Sequence, residues 1–407
     1  MSGRCAARMV GLAALAVAAA CSGDAATPPD TSPASPVTTV PVQQPSDGIL
    51  TVGILLPTTG SGSPLGGPIR TAIEAAVGDI NAAGGVLGRS VLLVDADEAH
   101  PGGFAELIDQ GVDAIVGPAS SLVALSELNT AMDAGVVVCS PTATALALDD
   151  FPDPNGLFFR TVPSDSLQME AIVREVRDTG VESVSVAYLD DPYGRGLANA
   201  FEARVRASAV LSIDRREGFS GDQEDLSAVA GAVADSPAIV VLGDADDGGR
   251  LLTALDAVVD HADPPAVFVN DAVRSARQPI AQLSDEFRER LLAVAPQARV
   301  DAVDGFFAAN AVDCVNLIAL AVVQAGSDRP EDFRDNIAGV SNSGSPCSGF
   351  AECAQRLADV PQIDYRGVSG SVDLRGVTGD LANAIFDVFG FNENGSEKDP
   401  RPRSASL

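Results

Sequence analysis

Two adjacent serines, Ser120 and Ser121, are the residues whose type and position best suit ligand chemistry in this chain. They follow an apolar segment that ends at Val116, and they stand where the next helix is expected to begin. A helix N-terminus presents free backbone N–H groups and the positive end of the helix dipole, so it favours an anion. The same position suits a serine that only caps the helix. The sequence supports both interpretations.

The chain lacks the arrangements that catalysis usually requires. No Gly-x-Ser-x-Gly turn precedes a helix, no Gly-x-x-x-x-Gly-Lys segment is present, and neither His100 nor His261 accompanies an acid and a nucleophile. We therefore expect a binding protein and not an enzyme. No cofactor and no metal is expected either.

A strand–helix–strand unit opens the part of the chain that would position such groups. Residues 49–56 form an apolar run with the length of a buried strand, and a Gly/Ser/Thr loop follows at 58–67. Pro68 stands where a helix accepts proline in its first turn, and apolar residues then recur at helical spacing. The glycines at 84–85 end this helix before a second strand at 91–94. This pattern is typical of a right-handed crossover in a parallel sheet.

Strands and helices alternate through the rest of the chain, which predicts an α/β fold with parallel sheets. Strands are expected at 114–116, 136–139, 183–189, 210–215, 238–242 and 266–270, and helices at 122–133, 168–178, 194–208, 226–234, 249–259 and, as a long apolar helix, 302–325. The folded part, residues 48–391, is longer than a single core usually supports. Two lobes are therefore expected.

Three segments carry a resemblance to a known family: V-G-I-L-L-P-T-T-G, D-I-N-A-A-G-G-V-L-G-R and V-D-A-D, all before residue 98. Together they resemble the opening of leucine/isoleucine/valine-type solute-binding proteins, the extracytoplasmic receptors of ABC importers. The resemblance implies the type I periplasmic-binding-protein fold, two Rossmann-like lobes joined by a three-segment hinge. The matching crossings are 160–163, 293–296 and 363–367, so that lobe 1 comprises 48–162 and 296–362, and lobe 2 comprises 163–295 and 363–391.

The resemblance also implies ligand contacts beyond Ser120 and Ser121. They are Leu65, Thr142, Thr144, Tyr193, Asp246 and Asp271. Asp271 falls where the family places an acid that receives the ligand's ammonium, and Leu65 stands where some relatives carry a large aromatic residue. Ordinary structural interpretations remain: a proline turn for the two threonines, core packing for Tyr193, a solvated loop charge for Asp246 and a helix N-cap for Asp271.

The function implied by the resemblance is capture of a small solute between the lobes and its delivery to the permease of an ABC transporter. An amino acid is the expected ligand, with a branched-chain side chain as the default. A ligand-sensing module of a signalling system, or a solute that is not an amino acid, is the alternative. We expect a monomer. The net charge of −30, with 26 basic residues, excludes nucleic acid as a partner because such a partner needs a basic face.

The two ends of the chain suggest export and attachment. Residues 1–21 place arginines before a small apolar run too short to span a bilayer, which is typical of a secretory signal. The run ends A-A-A-C-S-G, which resembles a bacterial lipobox with Cys21 as the lipidated residue; ordinary signal cleavage is the alternative. Residues 22–47 are expected to be a disordered linker and 392–407 a flexible tail. The sequence thus predicts a protein anchored by lipid to the outer face of the cell membrane.

The remaining cysteines are interpreted in the context of export. Cys347 and Cys353 lie six residues apart in a polar segment, and we expect a disulfide between them. Metal binding is the alternative, although no histidine is nearby. Cys139 and Cys314 stand in apolar segments and are expected to be buried, unpaired small side chains.

Overall fold

The structure, a computed structural model, describes residues 46–60, 62–297, 305–376 and 378–406. The predictions for the signal segment, for Cys21 and for almost all of the linker lie outside these residues.

Five parallel strands form the sheet of lobe 1, in the order β2-β1-β3-β4-β5. Its elements are β1 (Thr51–Leu56), α1 (Ser63–Ala82), β2 (Leu92–Asp97), α2 (Gly103–Asp109), β3 (Ala114–Val116), α3 (Ser121–Ala134), β4 (Val137–Ser140) and β5 (Phe158–Arg160). β1 lies between β2 and β3, so that Val52 faces Leu93 on one side and Ala114 on the other. Because helices cover the sheet, β1, β3 and β4 are buried and mainly apolar, whereas the edge strand β2 contains two aspartates and is only partly buried.

Helix α1 begins earlier than the sequence predicts. Pro64 takes the proline position in the first turn, and Pro68 lies inside the helix. The early start requires a close approach, because a Cβ on Gly66 would lie 2.1 Å from the carbonyl oxygen of Pro57. Glycine therefore lets the helix begin directly over the carboxyl end of β1.

Seven strands form the sheet of lobe 2, in the order β14-β13-β10-β9-β8-β6-β7. The elements up to β10 are α4 (Asp165–Asp178), β6 (Ser183–Leu189), α5 (Pro192–Ser208), β7 (Ser212–Phe219), α6 (Ser227–Val233), β8 (Ala238–Leu242), α7 (Ala245–Asp256), β9 (Ala266–Val269), α8 (Arg277–Gln282), α9 (Asp285–Arg288) and β10 (Leu291–Pro296). The chain then returns to lobe 1 before β13 and β14 complete this sheet. The predicted α/β class with two lobes is confirmed; the sheet of lobe 1 is parallel, and that of lobe 2 is parallel except for the antiparallel strands β13 and β14.

The last part of the chain divides between the lobes. Its elements are α10 (Ala308–Ala325), α11 (Pro330–Asn342), β11 (Ser345–Ser348), α12 (Gly349–Leu357), β12 (Ile363–Arg366), β13 (Asn383–Phe391) and β14 (Glu397–Ser406). α10 has the length and apolar composition of a membrane span, but it packs against α1 and α11 and 78% of it is buried. We therefore interpret α10 as a core helix of lobe 1.

The prediction of a flexible tail at 392–407 is wrong for its described residues. β14 pairs along its length with β13, antiparallel, with Asn383 opposite Ser406. Two arginines of β14, Arg401 and Arg403, form ion pairs with the buried Glu175 of α4. The segment looks unstructured in the sequence because it is a charged edge strand with prolines, which only an edge strand accepts.

Two of the three predicted crossings are displaced. The first follows β5, near 161–164, as predicted. The second follows β10, because residues 293–296 are part of that strand. The third follows β12, because residues 363–366 pair with β11 in lobe 1, where Tyr365 is buried. The chain crosses for the third time between 367 and 382.

One disulfide is confirmed and one prediction about cysteines is wrong. Cys347 and Cys353 are bonded, with their Cα atoms 5.2 Å apart. Cys139 and Cys314 are bonded as well, joining β4 to α10 across 175 residues of sequence. The sequence places both in apolar, buried segments, and burial alone does not distinguish a free thiol from half of a disulfide.

Candidate functional site

The N-terminus of α3 is already occupied in part by a side chain of the protein. The Ser120 hydroxyl accepts hydrogen bonds from the N–H groups of Leu122 and Val123, at 3.2 and 3.4 Å. The N–H groups of Ala119 and Ser120 both donate to the carboxylate of Glu98, which follows β2. Ser120 is therefore a helix cap, and its predicted ligand contact is not supported by this geometry.

Glu98 is a functional candidate that the sequence analysis missed. Burial raises the pKa of its carboxyl to about 7, although the hydrogen bonds from the two backbone N–H groups oppose that rise. The only signal was an acid at the carboxyl end of a strand, and nothing in the sequence places it over the loop that follows β3. Its position means that a carboxyl group of the protein already lies at the entrance of α3.

Ser121 and Thr144 lie together at the adjacent strand ends. The Ser121 hydroxyl accepts a hydrogen bond from the N–H of Ala145 at 3.3 Å, which links α3 to the loop that follows β4. Within the described ranges, the backbone N–H groups of Ser121 and Thr144 donate to no protein acceptor. Two N–H groups and the hydrogen of the Ser121 hydroxyl are thus available on the lobe 1 side of the site, whereas the Thr144 hydroxyl interacts with the Asp165 carboxyl.

Thr142 has a structural role. Its hydroxyl donates to the carbonyl oxygen of Ala119 at 2.7 Å, and its side chain is buried. It therefore braces the loop after β4 against the loop after β3. The predicted contact between Thr142 and a ligand is not supported by this geometry.

A second missed residue, Asp165, connects the two lobes at the site. It begins α4, it is only 3% exposed, and its backbone N–H donates to the carbonyl oxygen of Thr144 at 3.0 Å. Burial raises the pKa of its carboxyl well above the usual range, and the nearby Asp271 carboxylate raises it further. The sequence analysis expected this helix at 168–178, so it left Asp165 in the preceding loop and did not reveal its burial.

Asp271 and Tyr193 approach Asp165 from lobe 2. Asp271 follows β9 and makes no capping hydrogen bond; instead its carboxylate accepts from the amide of Gln168 at 2.9 Å. The Tyr193 hydroxyl lies 3.2 Å from the amide nitrogen of Asn270. Burial, together with the carboxyl groups of Asp271 and Asp165, raises the pKa of Tyr193 well above its ordinary value. These three side chains therefore form one acidic, partly dehydrated group.

Leu65 and Asp271 line one cavity of about 520 Å³ between the lobes. Phe306 and Phe307, which precede α10, add apolar surface to it. Arg274 is held over the rings of Phe306 and Phe389, at 4.7 and 5.0 Å, and pairs with Glu397 of β14. A concave, largely apolar space with a few fixed polar groups suits a small ligand.

Asp246 stands apart from these residues. It is exposed in the first turn of α7, where Asp244 provides the cap. Its carboxylate makes no hydrogen bond within the described part of the chain. This agrees with a solvated loop charge.

Hydrogen-bond donors for an anion on lobe 1 thus face carboxyl groups at the start of α4 and in lobe 2. Comparison with known proteins gives the class to which such a two-lobed molecule belongs. Residues 49–357 match the periplasmic binding protein family, and the chain belongs to that family.

The relatives are solute-binding proteins. A chemotactic signal transduction system substrate-binding protein of Halobacterium salinarum is 27% identical over 83% of this chain and 87% of its own length. A Leu/Ile/Val-binding protein of Rhizobium johnstonii is 31% identical over 52% of this chain, a match that spans 59% of that protein. The likeness to the leucine/isoleucine/valine type is thereby confirmed.

Solved structures share the fold. The branched-chain amino acid transporter substrate-binding protein of Streptococcus pneumoniae, in complex with isoleucine, has a TM-score of 0.63 and 21% identity, over 88% of this chain and 99% of that one. A solute-binding protein of R. palustris in complex with 4-hydroxybenzoate has a TM-score of 0.66 and 15% identity, over 88% and 98%. One fold therefore holds ligands with and without an ammonium group.

Proposed function

We propose that this protein captures a small α-amino acid between its lobes and delivers it to an ABC transporter. The observation that carries the proposal is the separation of charge across the site. The backbone N–H groups of Ser121 and Thr144 and the Ser121 hydroxyl offer donors for a carboxylate, whereas the carboxyl groups of Asp165, beside Thr144, and of Asp271 supply negative charge from lobe 2. A ligand ammonium between these two acids would relieve their mutual repulsion, which otherwise raises the pKa of one of them.

A branched-chain side chain is the default for the third part of the ligand. Leu65, Phe306 and Phe307 supply apolar surface within the same cavity as Asp271. Burying such a side chain contributes about 1.5–3 kcal/mol. The relatives named for leucine, isoleucine and valine support the same choice.

The test is calorimetry with a matched set of ligands. We expect L-leucine, L-isoleucine and L-valine to bind, and benzoate to fail because it lacks the ammonium group. Mass spectrometry of small molecules released by denaturing the purified protein identifies any native ligand. Binding of benzoate without binding of any amino acid would contradict the proposal.

Sensing is a second candidate because the relative matched over 83% of this chain serves chemotactic signal transduction. Cross-linking in the native membrane, with and without L-leucine, separates the two functions. A permease among the identified cross-linked proteins supports delivery, whereas a membrane signal transducer supports sensing.

We also propose that the mature chain is attached to the outer face of the cell membrane through lipid on Cys21. The support is the small-residue run before that cysteine and the polar segment after it. Cys21→Ser should release the protein from membranes into the soluble fraction. An equally membrane-bound and equally processed variant would contradict the anchor.

A further inference from the structure

Arg160, at the end of β5, is the largest fully buried side chain among the described residues, with 0% exposure. Its guanidinium contacts two carboxylates, of Asp149 and Asp380, at 2.6 Å each. It also donates to the carbonyl oxygens of Ala143 and Ala145, at 3.3 Å each. One side chain thus contacts the loop after β4 and a segment 220 residues further along the chain, and through Asp149 it reaches the start of α4.

The first of these segments is the ligand loop. Ala143 and Ala145 flank Thr144, so Arg160 holds both peptide groups beside a proposed ligand contact. The N–H of Ala145 is in turn bound to the Ser121 hydroxyl. The lobe 1 half of the proposed site is therefore fixed from beneath by Arg160.

The second segment is the start of α4, which Arg160 reaches through Asp149. The second oxygen of that carboxylate accepts from the hydroxyls of Ser164 and Ser166, at 3.0 and 2.7 Å. These serines stand on either side of Asp165. The arginine and Asp149 together set where the Asp165 carboxyl lies.

The third segment is the third crossing, which contains Asp380. The backbone N–H of Arg160 donates to the carbonyl oxygen of Gly379 at 2.9 Å. Gly379 has a φ of +67°, and a Cβ there would lie 2.0 Å from the carbonyl oxygen of Phe158. Only glycine allows the crossing to lie so close to β5.

Stability alone is a poor explanation for this arrangement. One guanidinium faces two carboxylates, and burial raises the pKa of Asp380 to about 6 even though Arg160 opposes the rise. Buried ion pairs often stabilise a fold no more than apolar side chains of the same volume would, but they fix geometry. The planar guanidinium can hold several acceptors in one fixed arrangement, which an ammonium cannot.

We infer that Arg160 is a positioning residue for ligand binding, which couples the Thr144 loop, Asp165 and the third crossing of the hinge without touching the ligand. The part of the inference that concerns ligand affinity rests on the proposed binding site. The coupling among the three segments is a property of the ligand-free protein. The two parts can therefore be tested separately.

Hydrogen–deuterium exchange on the ligand-free protein tests the coupling. Asp149→Asn keeps the side-chain volume but removes the ion pair between residues 149 and 160, while the pair of Arg160 with Asp380 remains. Arg160→Lys keeps the positive charge but loses the planar set of N–H donors. Each should raise amide exchange at least fivefold in three regions together: 143–145, 164–167 and 379–382. Because Arg160→Lys can fail to fold, Asp149→Asn is the deciding variant. A rise confined to the neighbours of residue 149 would overturn the inference.

Arg288→Lys is the matched control. Arg288 is also buried, pairs with Asp285 and donates to a carbonyl oxygen, that of Leu283, but it lies in α9, away from the site. With L-leucine as the probe, Asp149→Asn should weaken binding at least tenfold, whereas Arg288→Lys should leave it within twofold at a similar loss in Tm. Equal losses of affinity in both variants would mean that Arg160 acts only through stability. Failure of the wild type to bind any amino acid would contradict the proposed ligand and leave the exchange result to decide the coupling.

Discussion

Two carboxyl groups meet at the cleft, although the sequence drew attention to only one of them. Asp271 stood out through the motif around it, whereas Asp165 lay in the loop before the helix expected at 168–178. Only the tertiary structure shows that Asp165 is buried against Thr144 and faces Asp271. The reverse holds for Ser120 and Thr142, whose hydroxyls are used within the protein. Residue type and position in a loop do not reveal which hydroxyls remain free.

Replacing Asp271 with asparagine should weaken amino-acid binding by about 2–4 kcal/mol, which is roughly 30- to 1,000-fold. Asparagine can still accept the hydrogen bond from Gln168, so the change removes mainly the charge that would face an ammonium. Calorimetry with L-leucine measures the loss. Asp246→Asn is the control, because Asp246 is exposed and contacts none of the site residues. A loss of affinity below tenfold for Asp271→Asn would contradict the proposal that the ligand carries an ammonium group bound by Asp271.

Glu98 should make the stability of the fold depend on pH. The pKa of its carboxyl is about 7 in the folded protein against an ordinary value of 4.5. Because the folded-state pKa is the higher one, the stabilisation is complete below pH 4.5 and is lost as the pH rises through about 7. Glu98→Gln keeps one carbonyl acceptor for the N–H groups of Ala119 and Ser120 but cannot ionise.

Urea unfolding at pH 5 and pH 8 tests this expectation. The free energy of unfolding of Glu98→Gln minus that of the wild type should be larger at pH 8 than at pH 5. The increase should be ~1–2 kcal/mol after allowance for solvent screening. Glu106→Gln, on an exposed face of α2, should behave like the wild type at both values. If the free energy of unfolding changes by the same amount between pH 5 and pH 8 in Glu98→Gln and in the wild type, the Glu98 carboxyl does not titrate in that range.

At the scale of elements, buried strands were easier to predict than the charged edge strand β14. β1, β6 and β8 are apolar runs that the sequence predicts closely, because burial on both faces requires such residues. β14 has no such signal, since its partners are the carboxylates of Glu175 and Asp178 on α4, more than 200 residues away. Polar composition therefore led to a false prediction of disorder.

Replacing Arg403 of β14, which pairs with Glu175, should destabilise lobe 2. Glu175 is only 2% exposed, and Arg403→Ala would leave its carboxylate with Arg401 as its remaining partner. We expect a loss of about 2–3 kcal/mol in the free energy of unfolding, less than for a fully unpaired buried charge. Lys398→Ala, on the same strand but exposed, should change stability by less than about 0.5 kcal/mol. Equal effects of the two substitutions would show that β14 is not held by this ion pair.

For the whole molecule, the two-lobed α/β architecture follows from the sequence, and the exact hinge does not. The alternation of strands and helices repeats twice, and this is sufficient for the class. The crossings depend on side chains that anchor them to α10: Asn310 bonds Thr161 of the first, and Asp313 accepts the N–H groups of Val368 and Ser369 in the third. Such contacts connect residues that no local pattern relates. The Cys139–Cys314 disulfide escaped prediction for the same reason.

The anchored crossings divide the site into a fixed part and a moving part. Ser121 and Thr144 belong to lobe 1, whereas Asp271 and Tyr193 belong to lobe 2 together with α4, whose Asp165 donates its N–H to Thr144 beside the first crossing. In the proposed binding mode, a ligand carboxylate held by Ser121 and Thr144 would bring its ammonium to Asp271 only when lobe 2 has closed. Binding in this mode would shift the equilibrium toward the closed arrangement by the difference in ligand affinity between the open and closed forms.

Small-angle scattering should consequently give a smaller radius of gyration with saturating L-leucine than without it. Asp271→Asn at the same leucine concentration should keep the radius of gyration of the free protein, because it lacks the contact that stabilises the closed form. The control separates closure from a general effect of the amino acid on the solvent. An unchanged radius in the wild type, at a concentration where calorimetry shows the site to be full, would mean that the ligand enters a cleft that is already closed. The free energy of binding would then come from the preformed site, and the crossings would act as fixed connections between the lobes.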